Sequence, residues 1–141
     1  MRFPNGSRLL IEGHQFARET KNLEKFHCWV ACAKEYTPLY YALENRLTLW
    51  CPLSDHDPPR KGDPERAFAA SGLVADQLAS GKHVLVTCAM GLNRSALVAG
   101  LALRRLGFPA EEVVGSIRRA RHGVADIEAL SNQAFLSLVT A

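Results

Sequence analysis

Cys88 is followed, after five intervening residues, by Arg94 and then Ser95, three side chains that together can move a phosphoryl group. A thiolate is a strong nucleophile, and a planar guanidinium fork grips two nonbridging oxygens at once, which a lysine does not do. The loop Cys88-Ala89-Met90-Gly91-Leu92-Asn93-Arg94 lies between a short apolar run, His83-Val84-Leu85-Val86-Thr87, and a longer one from Ser95 to Leu103. The first has the pattern of a parallel strand covered on both faces, the second that of a helix buried on nearly every side. A short loop in front of a helix turns successive N–H groups inward, making a nest for a tetrahedral dianion at the positive helix end. Gly91 permits the backbone angles this wrap requires. The same donors favour thiolate over thiol at Cys88. Ser95 is placed to hydrogen-bond the sulfur when it leaves during hydrolysis of the thiophosphate. At ordinary residue usage, this combination of cysteine, glycine, arginine and serine arises by chance in roughly one case in a thousand.

A nucleophile at a strand end needs a sheet beneath it, and the chain supplies one. Arg8 to Glu12, His27 to Cys32 and Arg46 to Cys51 read as further strands, with a helical stretch near Phe16 to Leu23 and a short segment around Tyr40 to Glu44 between them. The turn-rich loop Ser54 to Gly62 precedes a helix with Asp63 as N-cap, Pro64 and Glu65 in its first turn, and Gly81 near its end. Phe68, Ala69, Gly72, Leu73 and Ala79 are its expected packing face. Two closing helices are expected, Ala110 to Arg121 and Asp126 to Val139, the latter with Ile127, Leu130, Phe135 and Leu138 facing inward. The expected fold class is α/β: one domain over residues 1–141, with a central, mostly parallel sheet flanked by helices and a helical C-terminal part.

Composition narrows the chemistry. With 141 residues, 48% of them hydrophobic, the chain can bury one core. A net charge of +3 suits anionic substrates and falls short of the basic stripe of a duplex-binding protein. The opening residues hold no apolar run of signal-peptide type, and no stretch reaches eighteen apolar residues, so the expectation is a cytoplasmic protein with no integral membrane segment. Cys28, Cys32, Cys51 and Cys88 are too few and too irregular for a disulfide framework, and the five histidines are scattered, so neither metal nor cofactor is expected.

The Cys88 to Ser95 segment resembles the signature of the dual-specificity branch of the protein tyrosine phosphatase superfamily, and the likeness extends along nearly the whole chain. Val30-Ala31-Cys32-Ala33 and Leu49 to Pro59 resemble the family's upstream strands and acid loop; Glu112 to Arg121 and Asn132 to Leu138 resemble its closing helices. Low-molecular-weight phosphatases share the cysteine and arginine spacing near the chain start, which the mid-chain position of Cys88 does not match. The resemblance implies a loop aspartate that protonates the leaving oxygen, and the chemistry independently asks for an acid there. Asp55-His56-Asp57-Pro58-Pro59 is similar to the acid loop of the phosphatase and tensin homologue group, which makes Asp55 the first choice and Asp57 the alternative. Either could instead cap a turn, as Asp beside Pro often does. The resemblance also implies that Cys32 could form a reversible disulfide with the nucleophile, although a buried strand cysteine is more often an inert small hydrophobe. Cys28 and Cys51 read as packing residues. Where the family usually carries histidine before the cysteine, this chain has Thr87, which offers a hydrogen bond but no positive charge. Arg121, in the basic cluster Arg118, Arg119 and Arg121, could buttress the phosphate loop.

The implied reaction is phosphomonoester hydrolysis through a cysteinyl-phosphate intermediate. Phosphorylated protein, at tyrosine and also at serine or threonine, is the first substrate class. An RNA 5′ end is an alternative, because Gly91-Leu92-Asn93-Arg94 also resembles the RNA triphosphatase branch. A phosphoinositide is another, weakened by the absence of lysine from Ala89 to Asn93. A catalytically silent phosphate-binding module is the rival outside enzymology.

Overall fold

The computed structural model describes residues 1–38 and 46–141, so the segment around Tyr40 to Glu44 lies outside the described residues. Strands β1 (Arg8–Gly13), β2 (Cys28–Ala33), β3 (Leu47–Leu53) and β4 (His83–Cys88) form one sheet in the order β1-β4-β2-β3. All three strand pairings are parallel, which makes it an α/β fold as expected. Alternation along each strand divides the core. Cys28, Val30, Cys32, Val84, Val86 and Cys88 face the large cluster under the long helices, while Trp29, Ala31 and Leu85 face a smaller one with Ala17, Leu23 and Phe26. The helices are α1 (His14–Ala17), α2 (Thr20–Leu23), α3 (Asp63–Ala79), α4 (Arg94–Arg105), α5 (Ala110–Ala120) and α6 (Gln133–Thr140). None of the described helices is long and apolar enough to cross a membrane.

Four expectations are corrected. The helical stretch near Phe16 breaks into the single turns α1 and α2, because Glu19 is extended and the Asn22 side chain donates back to the Phe16 carbonyl at 2.9 Å. Gly62, with φ of 86°, takes the N-cap of α3, a left-handed conformation that glycine adopts without strain. Asp63 becomes a buried first-turn residue that accepts from the Ser54 amide at 3.0 Å and pairs with Arg66. The buried face of α3 is Ala67, Ala70, Ser71, Val74, Ala75 and Leu78, a stripe of mostly small residues that lets the helix lie close to α4. Phe68 stays 55% exposed, with the Arg105 guanidinium 3.9 Å from its ring, a cation over an aromatic face. Finally, α6 begins at Gln133 rather than Asp126. Leu130 adopts φ of 59°, which a right-handed helix does not tolerate. Asn132 caps the new start by accepting from the Phe135 amide, as a short polar side chain does at an N-cap. Ile127 is consequently exposed, while Leu130 and Phe135 are buried.

Candidate active site

The C-terminal ends of β2, β3 and β4 lie side by side, and the site is built on them. β4 ends at Cys88, and α4 starts at Arg94, so the intervening loop turns back over the sheet edge with Gly91 at φ of 72°. Its carbonyls are captured from outside. Ala89 O accepts from His14 N at 3.0 Å, Met90 O and Gly91 O from Arg121 at 2.9 and 3.0 Å, and Leu92 O from Leu130 N at 2.8 Å. Carbonyl and N–H point in opposite directions across a peptide plane, so four outward carbonyls place the N–H groups of Met90, Gly91, Leu92 and Asn93 inward. Arg121 is buried, and its third nitrogen meets Glu12 at 3.2 Å, so it buttresses the loop from behind. A side chain at position 91 would strike the Glu12 carbonyl carbon at 2.7 Å.

Cys88 is buried, with its sulfur 3.1 Å from Ser95 Oγ and accepting from the Gly91 amide at 3.3 Å. Thr87 points to the opposite face of the sheet, as strand alternation requires. There its hydroxyl accepts from Trp29 Nε1 at 2.9 Å. A small recess behind Cys88 is shared by Thr87, Tyr36 and His14. The His14 ring stacks on Tyr36 with centroids 3.7 Å apart, and burial lowers its pKa.

Arg94 is 8% exposed and held in one pose. Nη1 and Nη2 both donate to Glu35, and Nη1 also donates to the Leu53 carbonyl at 3.1 Å. The end-on fork is therefore occupied, leaving Nε and the second Nη2 hydrogen for another oxyanion. Glu35 lies in the loop after β2 and carries no motif, so sequence reasoning missed it. Its hydrogen bonds to Arg94 hold the carboxyl below its usual range. The pair stabilises the fold at pH values above the ordinary glutamate range near ~4.3 and loses that contribution as pH falls through the lowered value. The Glu35 side chain is 49% solvent-exposed. Solvent screening therefore holds the contribution under about 1 kcal/mol. Glu35→Gln is expected to converge with wild type in stability once the pH has fallen below the lowered Glu35 value. At neutral pH it should reduce catalytic efficiency about threefold to tenfold through a looser Arg94, a loss of roughly 0.7–1.4 kcal/mol in oxyanion binding. Denaturant unfolding across pH, with steady-state kinetics alongside, checks both.

Asp55 is the better placed of the two aspartates. Its carboxylate accepts from Asn132 Nδ2 at 2.8 Å and from Asn93 Nδ2 at 3.1 Å, which ties the acid loop to the phosphate loop. Asn132 also donates to the His56 carbonyl at 3.0 Å, and Asn93 Oδ1 accepts from the Asn132 amide at 2.9 Å. Both aspartates reach solvent, but Asp57 makes no side-chain hydrogen bond among the described residues. Ser131 and Asn132 were missed as site residues; the signal available was the cap at the start of α6.

The four cysteines are free. The pairing of Ala31 with Thr87 puts Cys32 on the rung beside Cys88; the Cys32 thiol donates to the Val30 carbonyl at 4.0 Å, and the Cys51 thiol to the Arg66 carbonyl at 3.5 Å. Burial, reinforced by Cys51, raises the Cys32 pKa well above the usual thiol range. Burial also pushes Cys28 up to about 11, as suits a packing residue.

No protein-family model matches the chain, and no curated protein does. Solved structures do. Human DUSP28 superposes with a TM-score of 0.76 at 18% identity, covering 97% of this chain and 90% of its own. The chain has the fold of the dual-specificity phosphatases. DUSP15 gives a TM-score of 0.74 at 16% identity, over 99% of this chain and 84% of its own. OH1 from the Orf virus, described as a tyrosine phosphatase with triple substrate specificity, gives 0.65 at 17% identity over 97% and 83%. Within the dual-specificity phosphatase fold, the strand ends that carry Cys32, Leu53 and Cys88 form one edge, and the loops that follow them build the site.

Proposed function

We propose that residues 1–141 form a cysteine-dependent phosphatase that hydrolyses phosphomonoesters, with phosphorylated protein as the substrate class. The observation that carries this is the phosphate loop: four outward carbonyls, four inward N–H groups, and the Cys88 sulfur beneath them at the start of a buried helix. Cys88 attacks phosphorus in line. The bond to the leaving oxygen breaks, and that oxygen takes the Asp55 proton. Arg94 and the loop amides hold the equatorial oxygens as charge redistributes. Asp55 then deprotonates a water, which displaces the sulfur and releases inorganic phosphate while Ser95 donates to the departing thiolate. The protein carries a formal charge of +3, which suits anionic substrates.

The test is turnover of para-nitrophenyl phosphate together with rapid acid quench and peptide mass analysis. Vanadate-sensitive turnover and a phosphate adduct on the Cys88 peptide are expected. Phosphate binding with neither signal would leave only the silent binding module.

Cys32 is proposed as the partner of an oxidised Cys88. Peroxide converts the Cys88 thiolate to a sulfenic acid, and the Cys32 sulfur displaces water to form the disulfide. The raised Cys32 pKa makes this slow at neutral pH and faster as pH rises. Nonreducing mass mapping after peroxide treatment at pH 7 and pH 9 is expected to show a Cys32–Cys88 crosslink that accumulates faster at pH 9. Its absence at both values would make Cys32 a packing residue alone.

A further inference from the structure

The segment that carries Asp55 has two faces. Leu53 O and the Asp55 carboxylate engage Arg94, Asn93 and Asn132, on the side of the phosphate loop. Pro52, Ser54 and His56 alternate with them, as successive residues of an extended chain do. These three line a cavity of about 470 Å³ on the other side. The end of β3 and the three residues after it are the wall between the two.

The cavity is strongly cationic. Lys34, Arg60, Lys61 and Arg66 contribute to its lining, against a single carboxylate, Asp63. That carboxylate is already committed to the Ser54 amide and to Arg66. Lys34, Arg60 and Lys61 have no carboxylate within ion-pair distance among the described residues. Asp63 and Arg66, from the first turn of α3, line the cavity, so the helix N-terminus lies beside it and adds its partial positive charge. Exposed cations are commonly just solvated, but here they surround a concavity, lack counter-charges and sit one strand from the proposed catalytic centre. Concave walls of one sign focus the field and concentrate anions.

We propose that this cavity is a second anion subsite, which receives a phosphorylated side chain two to four residues away from the residue being dephosphorylated on the same peptide. The proposal rests on the phosphatase function proposed above and names its substrate class. The reach favours a peptide. An extended chain advances roughly 3.3–3.6 Å per residue, so a second phosphate two to four positions along can pass over the dividing strand. Neighbouring phosphates on one inositol ring, or within a 5′ triphosphate, are held too close together to straddle a strand with side chains on both faces. The phosphate loop itself holds no lysine that would serve a crowded headgroup. Arg60 and Lys61 follow Pro58 and Pro59 directly, so the acid segment and the cationic residues are parts of one short loop.

The test compares kcat/KM for peptides phosphorylated on tyrosine alone with peptides that carry a second phosphoserine two, three or four residues away. Soluble inositol phosphates and 5′-triphosphorylated RNA are assayed on the same preparation. Wild type is expected to favour one doubly phosphorylated spacing about tenfold, and raised salt should erode the preference. The double substitution R60A/K61A should abolish it, and K34A should reduce it partway. All three residues are exposed, so the fold should be retained. Absence of a preference in wild type, or its survival in both variants, would overturn the subsite. So would a greater dependence on Arg60 and Lys61 for the inositol phosphates or RNA than for the peptides. Failure of the wild-type protein to hydrolyse para-nitrophenyl phosphate at all would instead overturn the phosphatase function.

Discussion

Cys88→Ser is expected to lower kcat by at least about 10⁴-fold while leaving oxyanion binding in place. The two side chains differ by one atom, but the hydroxyl of serine does not ionise near neutrality, and among the described residues no general base is hydrogen-bonded to position 88. The sulfur's neighbours are the Gly91 amide and the Ser95 hydroxyl, which support a negative sulfur and take no proton from a neutral oxygen. The nest is held from outside by Arg121, His14 and Leu130, none of which touches the sulfur, so the variant should keep its loop. Two measurements separate nucleophile from scaffold. Turnover of para-nitrophenyl phosphate should vanish, while tungstate or inorganic phosphate should still raise Tm by mass action on the folded state. Substantial residual turnover in Cys88→Ser would remove Cys88 from the role of nucleophile.

The local half of this site is readable in the chain because it is contiguous. Strand, loop and helix follow one another from His83 to Arg105, and the hydrophobic period changes within that span. The supports are not contiguous. Glu35 reaches Arg94 across 59 positions, and Asn132 reaches Asp55 across 77. Those partnerships arise only when the order β1-β4-β2-β3 sets the ends of β2, β3 and β4 next to each other. The misread helices have a similar origin. The Ala67 to Leu78 stripe is weakly hydrophobic and loses to Phe68 and Leu73 in any count of apolar residues, yet small side chains are what close packing against α4 selects. Residues 126–132 carry an apolar pattern, but none of them is helical, and Leu130 takes a left-handed conformation and donates to the phosphate loop at Leu92. A tertiary hydrogen bond there outweighs local periodicity.

Asp55→Asn is expected to reduce kcat for phosphotyrosine peptides by about 10²–10⁴-fold, the usual range for a lost general acid, whereas Asp57→Asn should cost less than about threefold. The contrast follows from how each carboxylate is held. Asn132 and Asn93 fix both Asp55 oxygens, and Asn93 is itself part of the proposed phosphate loop, so Asp55 is tied to that loop through one side chain. Asp57 is exposed and lacks such a tether among the described residues. An amide at position 55 keeps one acceptor for the two asparagines and supplies no transferable proton, so the loss should fall on chemistry more than on folding. Leaving-group dependence gives the role a signature. Nitrophenolate departs without help, whereas an alkoxide needs the proton in the transition state, so Asp55→Asn should penalise phosphoserine peptides most, phosphotyrosine next and para-nitrophenyl phosphate least. Asn132→Ala should show the same ordering in weaker form, because it releases the acid without removing it. Equal loss on all three substrates would mean that Asp55 serves the loop's structure rather than the leaving oxygen, and a steeper ordering in Asp57→Asn would transfer the role to Asp57.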